Sequence, residues 1–205
     1  MKKLFYSSTV IIVFSVLTLS ISSCQKVAMP ETEEVATLKA PRNPVTRAYK
    51  DSFDTWYMFV PDVANGWTAP NPAPAWYPGG GEGNATHLGK SSTYFNQYAT
   101  LGQNGLVSGF APVNMFFSLP LAGYALPSTV GTIVYRGSDA IWFGGATNSY
   151  TNFINPQRVN FHGELDIIGG NGKFTGAAGH VILNGYFNPQ DQQDASSWTV
   201  GWISY

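Results

Sequence analysis

His162, Glu164 and Asp166 stand at alternate positions of the stretch NFHGELDI, and they are the side chains here best suited to chemistry. An imidazole and two carboxylates at i, i+2 and i+4 share one face of a strand. There they could move protons, or hold a metal with a further ligand. The blander reading is the solvated face of a half-exposed strand, and the pattern favours it, since Asn160 falls in the same phase. The histidines, His87, His162 and His180, show no HxH or HxxxH spacing, so no metal site and no cofactor is assigned. No GxSxG elbow occurs, and no GK[ST] follows the glycine-rich stretch Gly169 to Gly179. Val181 onward reads as a strand, which offers phosphate no helix N-terminus. Arg136 and Asp139 flank a turn and read as a surface ion pair. No catalytic residue is assigned. The remaining candidates are aromatic: Trp67, Trp76 and Tyr77 lie among four prolines and a Gly-Gly-Gly run between Asn65 and Gly83. Their rings either plug one end of the fold as core or present a platform to a sugar or a small apolar ligand.

The elements that must position these groups read as β throughout. Arg158 to Ile168 alternates, with Val159, Phe161, Gly163, Leu165 and Ile167 on one face and Asn160, His162, Glu164 and Asp166 on the other. Thr132 to Arg136 and Asp139 to Phe143 form a hairpin about the two-residue turn Gly137-Ser138. Thr55 to Val60, Leu106 to Phe110, Val113 to Leu119, Val181 to Phe187 and Trp198 to Tyr205 are further apolar runs of strand length. Asn65 to Gly83 reads as a long irregular loop because prolines at that density cannot sit in a central ladder. Gly144 to Pro156 also reads as loop. The stretch Gly170-Asn171-Gly172 supplies residues that tolerate positive φ in a tight turn. Eight to ten short strands and no helix predict an antiparallel β-barrel of about eight strands, with a β-sandwich as the alternative.

The N-terminus carries different information. Lys2 and Lys3 precede an apolar run from Val10 to Leu19, and Ile21-Ser22-Ser23-Cys24 follows. A basic start, a short apolar core and small residues before a cut describe a secretory signal peptide over residues 1–23. Polar residues dilute the run below the 18 or so apolar residues wanted for a membrane span. Cys24, the only cysteine in the chain, resembles the modified residue of the bacterial lipoprotein lipobox. That resemblance implies a diacylated, palmitate-bearing N-terminus, a membrane partner through the lipid, and a place in the cell envelope at the outer membrane. Residues 24–47 then read as a tether, with three prolines, no aromatic residue and charges of both signs. The folded domain spans 48–205. Losing Lys2 and Lys3 takes the formal net charge from −1 to −3, and nothing basic clusters, which excludes a nucleic-acid partner. With 11% charged residues against about 25% in ordinary soluble chains, the composition is that of an exported β protein.

Two segments resemble a known family. Gly83 to Lys90 (GNATHLGK) and Ile167 to Gly179 (IIGGNGKFTGAAG) are similar to bacterial secreted proteins related to the allene oxide cyclase barrel. The resemblance covers Asp51 to Tyr205, rests on glycine and turn positions, and implies the barrel rather than an activity. Two functional classes stay open. One is a non-enzymatic envelope module that binds a small ligand or serves as structure. The other is a cyclase or isomerase that uses Glu164 or Asp166 as a buried carboxylate. Which face of Arg158 to Ile168 points inward discriminates between them.

Overall fold

The computed structural model describes residues 43–103, 105–118, 126–145, 147–155 and 157–205. Cys24, the signal peptide and all of the tether before residue 43 lie outside the described residues. Thirteen strands follow in chain order: β1 Thr46–Tyr57, β2 Val60–Pro61, β3 Ala75–Trp76, β4 Gly79–Ala85, β5 Gly89–Phe95, β6 Gln97–Gly102 and β7 Gly105–Phe110. Then come β8 Thr132–Arg136, β9 Asp139–Gly144, β10 Thr147–Asn155, β11 Arg158–Asn171, β12 Ala178–Asn188 and β13 Asp191–Ser204. Only single 3-10 turns, and no α-helix, interrupt them among the described residues.

Eight of the strands close a ring. Their order is β12-β13-β1-β4-β5-β8-β9-β11, and β11 pairs back onto β12. Every pairing is antiparallel, so the barrel predicted from strand count and turn punctuation is the fold, and the sandwich is not. Closure removes the exposed edges that an open sheet would have to protect. The other five strands extend the wall at one rim. β3 runs on into β4, β5 into β6 and β9 into β10, and the shorter members pair in the order β10-β7-β6-β3-β2. The long β11 carries both halves, with Ser149 of β10 opposite His162 and Gly144 of β9 opposite Asp166.

Alternation along β1 sorts the chain between core and solvent. Tyr49, Asp51, Phe53, Thr55 and Tyr57 point inward, while the residues between them are exposed or half-buried. Around Tyr49 the barrel is filled solid by Phe143, Phe174, Val181 and Ile203, all 1% exposed or less. The Phe174 ring lies 4.7 Å from that of Tyr205 and closes this end. The opposite end, at Tyr57, is the mouth.

Four sequence readings change here. Asn65 to Gly83 is not loop to its end, because β4 begins at Gly79 and forms part of the closed wall. Its glycines serve close strand approach rather than turns: a Cβ on Gly83 would run into the Ser52 carbonyl and lie 2.8 Å from the Phe53 Cα. Gly144 to Pro156 is largely strand β10, whose polar residues hid it. Val113 to Leu119 is not a strand where it is described. Val113–Met115 is a 3-10 turn inside an excursion between β7 and β8. Asn96 ties down both ends of that excursion, its amide donating to Gly131 O at 2.8 Å and its carbonyl accepting from Ala111 N at 3.3 Å. The predicted hairpin at Gly137-Ser138 is present with Arg136 opposite Asp139. The two side chains do not pair. Arg136 donates to Leu88 O at 2.8 Å, and Asp139 stands 3.5 Å from Lys173 Nζ.

The glycine packing makes a specific prediction. Gly83→Val should lower the free energy of unfolding by about 3 kcal/mol, because the β1–β4 backbone must separate. Gly109→Ala, where a Cβ meets nothing within 4 Å, should stay within about 0.5 kcal/mol. Urea denaturation of both variants checks the contrast; equal effects would contradict the close approach.

Candidate functional site

The face of β11 that could have held chemistry points outward. His162, Glu164 and Asp166 are exposed, and Val159, Gly163, Leu165 and Ile167 are buried. The alternation was read correctly, and its outcome removes Glu164 and Asp166 as buried carboxylates. On the outer surface Asp166 lies 2.9 Å from His180 Nδ1 and Glu164 3.6 Å from its Nε2, while His162 contacts Asn184 at 2.9 Å. His87 sits apart, its Nε2 3.0 Å from Ala48 O. No three His, Cys, Asp or Glu side chains among the described residues are placed to hold a metal ion.

The interior carries one carboxylate that sequence reasoning missed. Asp51 lies on the inward face of β1 and is 8% exposed. Tyr49 Oη donates to its Oδ2 at 3.0 Å, and the Thr199 amide donates to Oδ1 at 2.9 Å. Burial in the apolar barrel raises the Asp51 pKa from 3.8 to about 6, and the hydrogen bonds from Thr199 and Tyr49 oppose the rise. Burial, and then the Asp51 charge, hold Tyr49 well above its ordinary value, so it is a neutral donor. Asp51 can therefore exchange a proton near neutral pH. A signal existed: Tyr49, Asp51, Phe53, Thr55 and Tyr57 alternate, but reading the strand from Thr55 left Asp51 outside it.

Above Asp51 the barrel is hollow. A cavity of about 90 Å³ is walled by phenyl and aliphatic side chains such as Phe53, Phe143 and Leu183, with hydroxyls from Thr55, Thr93 and Ser197. Asp51 is the only charged residue among the described groups that line it. At the mouth a wider hollow of about 500 Å³ involves Trp67, Phe59, Pro70 and Pro72. The two hollows adjoin, and Tyr57, Tyr77, Leu106 and Phe187 line both. Tyr57 stands six positions along β1 from Asp51. That is about 20 Å along the strand and, for a tilted stave, about 15 Å along the axis.

The rings at the mouth form a chain of contacts. Trp67 lies 5.9 Å from Phe59, Phe59 5.6 Å from Tyr77, Tyr77 6.0 Å from Tyr57, and Tyr57 5.4 Å from Phe187. Polar tips are anchored to backbone: Tyr77 Oη donates to Pro72 O at 2.6 Å and Trp67 Nε1 to Asn71 O at 2.7 Å. Asp62 pins the loop, accepting from Tyr98 Oη at 2.7 Å and Asn65 Nδ2 at 2.6 Å. The structure thus brings Trp67 and Tyr77 to one hollow and sends Trp76 elsewhere. Trp76 follows Ala75 on β3, projects to the other side of the wall, and packs 5.1 Å from Tyr98 and 6.4 Å from Phe116. The tryptophans most open to solvent are instead Trp198 and Trp202, at 40% and 45%, on the outside of β13.

No protein-family model matches the chain, and no curated protein sequence matches it. Among solved structures, a pterocarpan synthase dirigent protein matches with a TM-score of 0.45 and 10% identity, over 80% of this chain and 86% of that one.

The raised Asp51 pKa is a stability statement with a definite sign. Between about pH 4 and pH 6 the folded state holds a proton that the unfolded state, with its pKa of 3.8, has released. Stability contributed by this group is therefore full below pH 4 and is lost as pH rises to about 6, by roughly 3 kcal/mol. Asp51→Asn should remove this slope and unfold at higher denaturant than the parent at pH 8. Denaturation midpoints from pH 4 to 8 measure it, and parallel profiles for the two proteins would contradict a buried, raised carboxyl.

Proposed function

We propose that this chain is a cell-envelope binding module, held at the outer membrane through acylated Cys24, that admits a small apolar ligand to its barrel past Trp67 and Tyr77. The observation that carries the reading is the apolar hollow inside the barrel that reaches Asp51, beside a wider hollow at the aromatic mouth with which it shares four lining side chains. An apolar ligand suits it better than a sugar, because ring faces and aliphatic groups wall the way in and gain by losing water. The anchor half of the reading rests on Lys2, Lys3, the apolar run and Ser22-Ser23-Cys24. A chain held in this way would present its domain on a flexible stretch, within reach of molecules released at the membrane.

A second reading has one observation of its own. A carboxyl that titrates near pH 6 inside an apolar barrel is suited to moving a proton on a bound molecule, the work of an isomerase or cyclase. Asp51 takes the role first considered for Glu164 and Asp166.

Three measurements test these readings. Native mass spectrometry of the domain purified from its host should show a retained small molecule, and the neutral dye Nile red should compete for the same site. Trp67→Ala and Tyr77→Ala should each weaken dye binding about tenfold while Trp76→Ala leaves it unchanged, because removing a buried anchor ring costs at least 1–2 kcal/mol. An empty, dye-indifferent barrel would end the binding reading. If the molecule retained by the parent is an isomer of that retained by Asp51→Asn, the enzyme reading replaces it. Cys24→Ser should move the protein from the membrane fraction to the soluble one; unchanged fractionation and unchanged incorporation of labelled fatty acid would remove the anchor.

A further inference from the structure

Asp51 is over-equipped as a structural residue and under-partnered as a charge. A carboxylate has about four lone-pair sites. Tyr49 Oη and the Thr199 amide fill one on each oxygen, and the Thr199 side chain lies beside them. All of these donors are neutral. No lysine, arginine or histidine lines the cavity among the described residues, and none stands in an ion pair with Asp51. Buried carboxylates are ordinarily matched by a cation, because a lone charge away from water is expensive. Here the inner end of the cavity supplies the anion, and the walls supply apolar contact, but the protein supplies no counter-charge.

We propose that the missing counter-charge belongs to the ligand, and that the barrel selects a slender apolar or aromatic molecule ending in a single protonated amine, seated with its ammonium on Asp51. This rests on the binding reading above and narrows it to a ligand class. The ammonium donates into the acceptor capacity that Tyr49 and Thr199 leave open, and the hydrocarbon part lies against Phe53, Phe161 and Leu183 toward the mouth. A carboxylic acid of similar shape is repelled, and an alcohol donates one hydrogen bond to the carboxylate but brings no charge to match it. Ammonium binding also stabilises the ionised carboxylate. The groups that face Asp51 from its own and the neighbouring strand are Tyr49, a neutral donor, and the uncharged Thr199, so no other charge competes for the ammonium. Affinity for the amine accordingly rises as pH increases through about 6, where Asp51 loses its proton.

The experiment uses the purified chain and three probes of similar size: 2-phenylethylamine, 2-phenylethanol and phenylacetate. Calorimetric titration at pH 7.5 should show the amine binding about tenfold more tightly than the alcohol, with no binding of the acid. Asp51→Asn should remove the amine's advantage, so that amine and alcohol bind the variant with equal affinity. In the parent protein the amine's advantage should shrink as pH is lowered from 7.5 to 5, a readout that needs no variant to fold. Equal affinity for amine and alcohol in the parent, or an amine preference that persists in Asp51→Asn, overturns the ammonium assignment while leaving an apolar-binding barrel standing. Failure of all three probes, together with failure of Nile red, overturns the binding reading and the ammonium assignment with it.

Discussion

The pairing of β1 with β13 is the constraint on which the rest depends. Ten consecutive residues of each strand face one another, from Thr46 opposite Ser204 to Thr55 opposite Ala195, and this contact joins the two ends of the folded chain into a closed wall. A one-residue slip would invert every side chain on β1. The apolar ends of that face, Tyr49, Phe53 and Tyr57, resist such a slip because solvating them is costly. The same register sets Asp51 opposite Thr199, so the carboxylate is carried inside by its neighbours rather than by any preference of its own.

That arrangement divides the barrel into a packed half and an open half. Below Asp51 the rings of Tyr49, Phe143 and Phe174 fill the space and leave no way through. Above it Thr55, Thr93 and Ser197 stand among the rings of Phe53, Phe95 and Phe161, and these side chains leave a hollow between them. The wall needs no interior packing there, since its hydrogen bonds close on themselves. Stability and an empty lumen are thus assigned to opposite ends of one barrel. The packed end can carry the cost of a buried carboxylate that the open end alone could not.

The mouth is built from a segment with little regular structure, and its order comes from elsewhere. Asp62 is held by Tyr98 on β6 and by Asn65, and it receives the Trp67 backbone amide at 3.0 Å. Prolines then limit what the loop can do between these points. Rings on such a loop are fixed in place before any ligand arrives, which reduces the ordering cost of binding.

Much of this could be read from residue order alone. The all-β class, the hairpin at Gly137-Ser138, the inward phase of Val159 to Ile167 and the glycine turn at Gly172, with its φ of 62°, follow from local alternation and turn chemistry. Those features depend on neighbours a few residues apart, and a sequence displays such neighbours directly. The parts that were misread depend on distant ones. Gly79, Gly81 and Gly83 are glycines of a strand to which β1 lies too close to admit side chains, which no inspection of GGGEG can reveal. Trp76 and Tyr77 are adjacent in the chain yet serve opposite sides of the wall, and only pairing with β6 decides which is which. Asp51 looks like any surface aspartate until strands far along the chain enclose it, and its chemistry is a property of that enclosure. Sequence by itself determined the period and the punctuation; the tertiary structure decided which face is inside, because burial is a relation between segments and not a property of one.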